Sequence, residues 1–337
     1  MLTRIAEQPS RKADAMERLE AAFAGDLARV NALIVERMQS PVGMIPDLAA
    51  HLVSAGGKRL RPLITLASAQ LAGYQGDAHI KLAAAVEFIH SATLLHDDIV
   101  DGSPLRRGKP AANRVWGNSA SVLVGDFLFA RAFNLMVESG RLRVLDILAG
   151  ASSIIAEGEV RQLAAIANLD MSETEYMQII EAKTAELFAS AARVSAVISD
   201  LPRKQELALD RYGRELGLAF QLVDDALDYA GAAGTLGKAV GDDFREGKLT
   251  MPVAKAMQAG SDEEAGFWRE VFQKPVRNDA DLDQAMTLIT RHKAVQATLK
   301  QARAHSQNAR DALRIFPPAD TRTLLCDVCG FVVDRTF

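Results

Sequence analysis

Two aspartate clusters, Asp97-Asp98-Ile99-Val100-Asp101 and Asp224-Asp225-Ala226-Leu227-Asp228, stand far apart in the chain in similar apolar settings. One follows the apolar run Phe88 to Leu95, the other the run Leu216 to Val223. In each, the outer aspartates are four residues apart, which on a helix places them one turn apart on one face, about 5–6 Å between Cβ atoms. Carboxylates so placed repel and lose hydration unless a cation lies between them. A hard divalent ion with oxygen ligands suits the position. Magnesium usually takes one or two carboxylates and completes its octahedron with water and substrate phosphates. Two such clusters describe a clamp for a diphosphate.

One acidic cluster alone is more often the solvated end of a helix. A calcium loop fails on inspection, because counting from Asp97 puts Ile99 at the third position and Gly108 at the twelfth, where oxygen ligands are needed. The duplication, the apolar flanks and the cations that follow favour a site. Arg106 and Arg107 come after the first cluster, Lys238 and Lys248 after the second.

Three further segments carry polar chemistry. Gly56-Gly57-Lys58-Arg59-Leu60-Arg61-Pro62 joins flexible residues, three cations and a proline suited to a first helical turn. Helix N-termini and basic side chains together bind phosphate. It is not a Walker loop, since Leu52 and Arg59 occupy the required glycine and hydroxyl positions. Lys238 fails the same pattern at Ala232 and Ala239. His90 lies seven residues before Asp97, two turns away and nearly in line with it; a core histidine and a phosphate donor are both open readings there. Lys183-Thr184 sits mid-helix among Glu181, Ala182, Ala185 and Leu187, where a surface lysine is equally open.

The elements that must position these groups read as helices throughout. Helical periodicity covers 15–39, 80–101, 119–138, 143–167, 173–198, 204–230 and 280–314, with glycine and proline breakers between. No solenoid repeat, linker or low-complexity tract appears, and the two clusters must meet across one site. An all-α bundle follows, expected as a single domain over 1–337 with a flexible N-terminal segment at 1–19. The glycine-rich stretch 231–252, with alternating charge and a closing proline, reads as an active-site lid.

Composition sets the outer limits. The 337 residues are 49% hydrophobic and 24% charged with a formal net charge of −4, which argues against a nucleic-acid partner. No uninterrupted apolar run approaches the ~18 residues of a membrane span, and the N-terminus shows no apolar export signal. The only cysteines, Cys326 and Cys329, have no second pair or nearby histidines for zinc. Free thiols in a reducing cytoplasm are expected.

Taken in order, GGKRLRP, HDDIVDGSPLRRG, AKT, FQLVDDALDY and GKAVGDDFREGKLTMP resemble the motifs of trans-isoprenyl diphosphate synthases. The resemblance runs from about residue 20 to the C-terminus. It is strongest to the long-chain members that make ubiquinone side chains, with Ala156-Glu157-Gly158-Glu159-Val160 and Val332-Val333-Asp334-Arg335 fitting that subgroup. CDVCG at 326–330 departs from the pattern and puts no catalytic role in doubt.

The resemblance implies an isoprenoid synthase-type helical bundle with a central active-site cavity, and a Mg²⁺-dependent prenyltransferase. It implies three Mg²⁺ ions, two on Asp97 and Asp101 and a third on Asp224, with Asp228 in the same metal cluster. Arg106, Lys183 and Lys238 would hold an allylic diphosphate (farnesyl, geranylgeranyl or geranyl), and Lys58, Arg61, His90 and Arg107 isopentenyl diphosphate. Lys248 joins these substrate-binding cations, and Thr184 and Gln221 would lie beside the developing cation. Small residues at Ala92 and Thr93 would let a growing chain pass, with Met136 as a floor, although a core methionine is the commoner reading. Decaprenyl diphosphate is the favoured product, with octaprenyl and solanesyl as alternatives. A homodimer and a product handed to the membrane are further expectations, with a cytoplasmic location and peripheral membrane contact as a variant. A terpene cyclase or head-to-head coupling enzyme would not need the isopentenyl site suggested by GGKRLRP, His90 and Arg107. A regulatory subunit of a heteromeric synthase would be expected to lose one acidic cluster, and this chain keeps both.

Overall fold

The computed structural model describes residues 13–54, 57–106, 108–230 and 240–334. Its first half runs α1 (Ala13–Ala22), α2 (Ala24–Arg37), α3 (Met44–Ser54), α4 (Leu60–Leu71), α5 (Ala78–Val100), α6 (Ala112–Trp116), α7 (Asn118–Glu138) and α8 (Leu142–Ala164). Then follow α9 (Glu173–Ile180), a π-helical turn at Glu181–Ala185, α10 (Glu186–Ile198) and α11 (Arg203–Ala230). The remainder is α12 (Asp242–Glu246), α13 (Met251–Ala259), α14 (Asp262–Gln273), α15 (Asp279–Arg291), α16 (Ala294–Ala312) and α17 (Asp320–Val333). Among the described residues the only strands are two-residue segments, β1 (Leu105–Arg106) and β2 (Lys109–Pro110), paired antiparallel. The all-α expectation holds.

Two helices are apolar nearly all round and therefore lie inside the bundle. In α5, Leu82 to Val86, Phe88, Ile89, Ala92 and Leu95 are buried, and in α10 burial runs almost unbroken from Glu186 to Ile198. Around them pack α4, α7, α8 and α11, and α16 lies along α11. The buried stripe of α16 is built of small residues, Ala294, Thr298, Ala302, Ser306 and Ala309, which brings the two helices close. A separate aromatic core of Tyr229, Phe244, Trp268 and Phe272 holds α12 to α15 against the end of α11.

Side-chain ties fix the direction of each helix. His96 Nε2 lies 3.2 Å from the Val122 carbonyl and Lys81 Nζ 3.5 Å from Glu138, so α5 and α7 are antiparallel. Lys183 pairs with Glu159 near the end of α8, whereas Arg143 at its start pairs with Glu206 at the start of α11. Both aspartate clusters thus lie at one end of the bundle, and the α7–α8 corner and the start of α11 lie at the other.

Several expected boundaries shift. Of the segment 1–19 expected to be flexible, residues 13–19 are helical with Met16 and Leu19 buried against the core, and 1–12 lie outside the described residues. The helix expected over 15–39 breaks at Phe23, and that over 280–314 breaks at His292-Lys293, where Lys293 has φ 52°. Residues 231–239 of the expected lid lie outside the described residues. The described part is not a plain loop, since it forms α12 and anchors Phe244 in the aromatic core. Among the described residues one helix, α7, is long and apolar enough to cross a membrane by length and composition, although its apolar run is interrupted, as the sequence indicates. It also carries Asp126 and Arg131 and packs along α5, which is the behaviour of a bundle helix.

Candidate active site

The first cluster ends α5. Asp97 is half-buried, Asp98 is buried at 1% exposure, and Asp101 caps the helix. Burial pushes the Asp97 carboxyl up to about 7; Lys183 opposes the rise, while Glu159 and Asp101 add to it. A carboxylate held in that state gains from a neighbouring divalent cation. The middle residue does different work. Asp98 Oδ1 accepts from Arg106 Nε at 2.8 Å and from a second guanidinium nitrogen, and Asn113 Nδ2 donates to the Asp98 carbonyl at 3.0 Å. Arg106, expected on a diphosphate, is in this structure the counterion of a buried carboxylate.

The second cluster divides in the same way. Asp225 is 2% exposed and accepts from the Tyr176 hydroxyl, from Gln221 Nε2 at 2.9 Å and from the Met251 N–H at 3.4 Å. Burial, with Asp243 nearby, drives its carboxyl well above the usual range, while three donors aimed at it favour the charged form. Thr184 Oγ1 donates to Gln221 Oε1 at 2.9 Å, so the Gln221 amide is held at both ends. Asp228 Oδ2 accepts from the Asp243 N–H at 3.2 Å and its carbonyl from the Gly241 N–H at 2.9 Å. That carboxylate secures the start of α12.

Lys248 acts on both clusters, pairing with Asp101 of the first and electrostatically opposing the rise of the Asp225 carboxyl in the second. Its Nζ lies 3.2 Å from Asp101 and 2.8 Å from Glu246, and its backbone N–H donates to the Asp243 carbonyl at 2.9 Å. Burial works to lower the ammonium pKa, but Asp101, Glu246 and Asp243 outweigh it and hold it above its usual range. Lys248, Lys183, Thr184, Gln221, Asp225 and Asp243 together line a cleft of about 130 Å³.

Lys183 and Thr184 reach this cleft because the helix carrying them is locally π-helical. A π turn inserts one extra residue and is frequent at functional sites. The packing around it is close. A Cβ at Gly158 would lie 2.8 Å from Ala182 Cβ, and one at Gly217 would lie 2.5 Å from Ala185 Cα. Only glycine permits α8 and α11 to approach the π turn from both sides. Lys183 Nζ then meets Glu159 at 2.6 Å.

The GGKRLRP segment forms a second basic area. Arg59 has φ 45° just ahead of α4, with its guanidinium on Glu87. The Arg61 guanidinium stacks 4.3 Å over the Phe188 ring and lies 3.2 Å from His90 Nε2, while Lys58 Nζ stands 4.6 Å over Phe331 of α17. Arg61 and His90 are thus together, as the sequence motifs suggested. Arg107 and Lys238 lie outside the described residues. Ala92 and Met136 are fully buried in the main core, and Thr93 is half-buried with its hydroxyl donating to the His90 carbonyl at 2.8 Å.

Sequence reasoning missed Tyr176, Asp225 and Glu159 as site residues. Their signals were present but ambiguous: Asp225 sat inside the second cluster, and Glu159 in a stretch read only as a subgroup mark. Among the described residues no three His, Cys, Asp or Glu side chains form a cage for a metal. The donors present, hard carboxylate oxygens beside Lys183 and Lys248, fit an ion that takes one or two protein ligands and the rest from substrate and water.

A family model described as polyprenyl synthetase matches residues 43–289. The chain belongs to the polyprenyl synthetase family. It is 42% identical over 320 residues to octaprenyl diphosphate synthase of Escherichia coli K12, covering 95% of this chain and 99% of the relative. A crystal structure of a decaprenyl diphosphate synthase from Rhodobacter capsulatus is 52% identical with a TM-score of 0.91, covering 95% of this chain and 98% of that one. A polyprenyl synthase from Caulobacter crescentus, crystallised with calcium and isoprenyl diphosphate, is 53% identical with a TM-score of 0.91 and the same coverage. Membership gives the aspartates their context: a divalent metal and an isoprenyl diphosphate occupy a relative of the same fold.

Proposed function

We propose that the chain is a long-chain trans-polyprenyl diphosphate synthase, which adds isopentenyl diphosphate units in succession to an allylic diphosphate. The observation that carries this is a pair of lysines lining one cleft with Asp225: Lys248, with Nζ 3.2 Å from Asp101 and its charge also opposing the rise of the Asp225 carboxyl, and Lys183, whose charge acts on Asp97. Support comes from relatives named as octaprenyl and decaprenyl synthases. Decaprenyl diphosphate for a ubiquinone side chain is the favoured product, because the decaprenyl synthase structure is 52% identical and the octaprenyl synthase 42%.

Asp97 and Asp101 on one side and Asp224 on the other would hold Mg²⁺, three ions in all, against the allylic diphosphate. When bound, the metal stabilises negative charge on the departing diphosphate. Lys183, Lys238 and Lys248 orient that group and share its charge. As the carbon–oxygen bond breaks, an allylic cation forms beside Thr184 and Gln221, whose carbonyl and hydroxyl oxygens face it. Lys58, Arg61, His90 and Arg107 hold isopentenyl diphosphate so that its double bond attacks the cation. The proton lost from the new chain passes to the released diphosphate. Water must be kept out while the cation exists, and residues 231–252 would close for that purpose.

We place the enzyme in the cytoplasm as a homodimer, acting as one unit over 1–337. Leu123, Phe133, Val137, Ile154, Val160 and Leu163 on α7 and α8 form an exposed apolar flank suited to a second copy. The deciding experiment incubates the purified single chain with Mg²⁺, farnesyl diphosphate and labelled isopentenyl diphosphate and sizes the products. A ladder ending at eight to ten isoprene units supports the reading. Absence of metal-dependent condensation by the chain alone would favour the regulatory-subunit alternative.

A further inference from the structure

The π turn that brings Lys183 and Thr184 to the cleft is bracketed by two glutamates, Glu181 as its first residue and Glu186 immediately after it. Both carboxylates meet the same atom. Arg214 of α11 places Nη1 3.0 Å from Glu181 Oε1 and 2.8 Å from Glu186 Oε2. Its Nη2 lies 3.4 Å from Asp210, one turn back on its own helix, and Asp210 is also 3.6 Å from Arg193. Glu186 is buried, and its other oxygen accepts from Ser190 Oγ at 3.4 Å. Burial works against the Arg214 charge, but Glu186, Asp210 and Glu181 outweigh it and hold the guanidinium above its usual range. None of Arg214, Glu181 and Glu186 lines the cleft.

We propose that Arg214 is a positioning residue for the condensation, a clamp that holds the π turn in register and so sets Lys183 and Thr184 toward the cleft. Spacing explains why one nitrogen can serve both glutamates. In α-helix, residues five apart point about 140° away from each other, whereas a turn bonded from i to i+5 sets them nearly one above the other. Carboxylates brought to one face repel, and a shared guanidinium removes that cost with donors in a fixed fork. The same face of α11 continues along the turn, since a Cβ at Gly217 would lie 2.5 Å from Ala185 Cα and Gln221 accepts from Thr184. Without the clamp the like charges favour α-helical spacing. The extra residue then moves along the helix, drawing Lys183 from Glu159 and Thr184 from Gln221. What those two side chains do once positioned rests on the synthase reading.

The test combines steady-state kinetics with hydrogen exchange, read by mass spectrometry, on the purified full chain. Arg214→Met keeps a long stem and removes the fork. It should lower kcat roughly 10–100-fold and leave KM for isopentenyl diphosphate unchanged. Amide exchange at residues 182–186 should quicken while exchange in α5 stays as in wild type. Arg214→Lys, which keeps the charge without the fork, should lie between the two. In a Lys183→Ala background the same Arg214→Met change should cost clearly less than it does in wild type, because one of the groups it positions is gone. An equal loss in both backgrounds would make Arg214 a structural residue and overturn the proposal, as would wild-type exchange at 182–186. Should Arg214→Met fail to fold, Glu181→Gln at the more exposed end of the clamp carries the test. Faster exchange at the turn with a lower kcat is expected there, and wild-type values of both overturn the clamp. If the wild-type chain makes no polyprenyl product yet exchange at the turn rises in Arg214→Met, the clamp stands and the synthase reading fails. Normal wild-type product with neither change having an effect does the reverse.

Discussion

Gln221 and Asp225 lie one turn apart on α11, and the amide of the first is locked by the carboxylate of the second, Nε2 donating to Oδ1 at 2.9 Å. The lock leaves the Gln221 carbonyl accepting from Thr184, and in the proposed mechanism this puts an oxygen rather than an N–H beside the developing cation. Tyr176 holds the same carboxylate from α9. Tyr176→Phe and Asp225→Ala should therefore lower kcat by roughly 10–100-fold, the usual effect of losing an orienting partner, with KM for either diphosphate little changed. Steady-state kinetics on both substrates decide it. A rise in KM with kcat intact would show that the network serves binding instead.

Asp97→Ala, Asp101→Ala and Asp224→Ala should each reduce turnover by roughly a hundredfold or more and leave helicity intact. The carboxylates bonded to Arg106 and Gln221, Asp98 and Asp225, stay in place in all three variants. Circular dichroism and a metal-dependence assay measure the two halves of this outcome. Near-normal activity in any one of them removes that carboxylate from the clamp.

Much of this was legible in advance, and the limits are specific. The two clusters and the long helices that carry them follow from spacing and periodicity, and the approach of Arg61 to His90 agrees with what the family resemblance implied. The division of labour inside each cluster does not, because Asp98 and Asp225 are distinguished from their neighbours only by which way the helix faces the core. The break at Phe23 has near it only Gly25, which lies inside the next helix, and Lys293 adopts a left-handed backbone with neither glycine nor proline beside it. The Glu181–Ala185 segment is ordinary α-helical composition; its π turn coincides with close approach by Gly158 and Gly217 from two neighbouring helices, and such long-range packing has no local signature.

Lys58→Ala and Arg61→Ala should raise KM for isopentenyl diphosphate more than for the allylic primer. Arg61 is stacked on Phe188 as well as charged, so Arg61→Lys should rescue poorly, since an ammonium lacks the planar stacking surface. Equal weakening of both substrates would dissolve the two-site assignment.

For product length, Thr93→Phe is the cleaner probe because Thr93 is half-buried, and it should shorten the product to a few isoprene units. Ala92→Phe should shorten it too, but Ala92 is fully buried, so overpacking should also cost about 1–3 kcal/mol of stability. Product chromatography with a thermal melt separates the effects. Full-length product from Thr93→Phe would move the tunnel off this helix.

The two thiols should be inert in the folded protein. Burial pushes Cys329 up to about 12 and raises Cys326 as well, and only thiolate reacts readily. Iodoacetamide at pH 8 should label the native chain roughly a hundredfold more slowly than the unfolded one, with the rate rising as pH approaches the thiol pKa. Rapid native labelling of Cys329 would contradict its burial.

The π turn also bears on how this chain can tolerate changes in length. It separates Tyr176, which faces Asp225, from Phe188, which faces Arg61, along one continuous helical path. Each residue of a helix turns the chain by about 100°. Because the π turn already carries one residue more than α-helix would, deleting one residue between Glu181 and Ala185 should turn it into α-helix and keep both aromatics near their partners, whereas inserting one more should rotate one of them away. Substitutions at this turn change a contact, a deletion removes its spare residue, and an insertion changes the angular phase between the Tyr176 and Phe188 ends of the path.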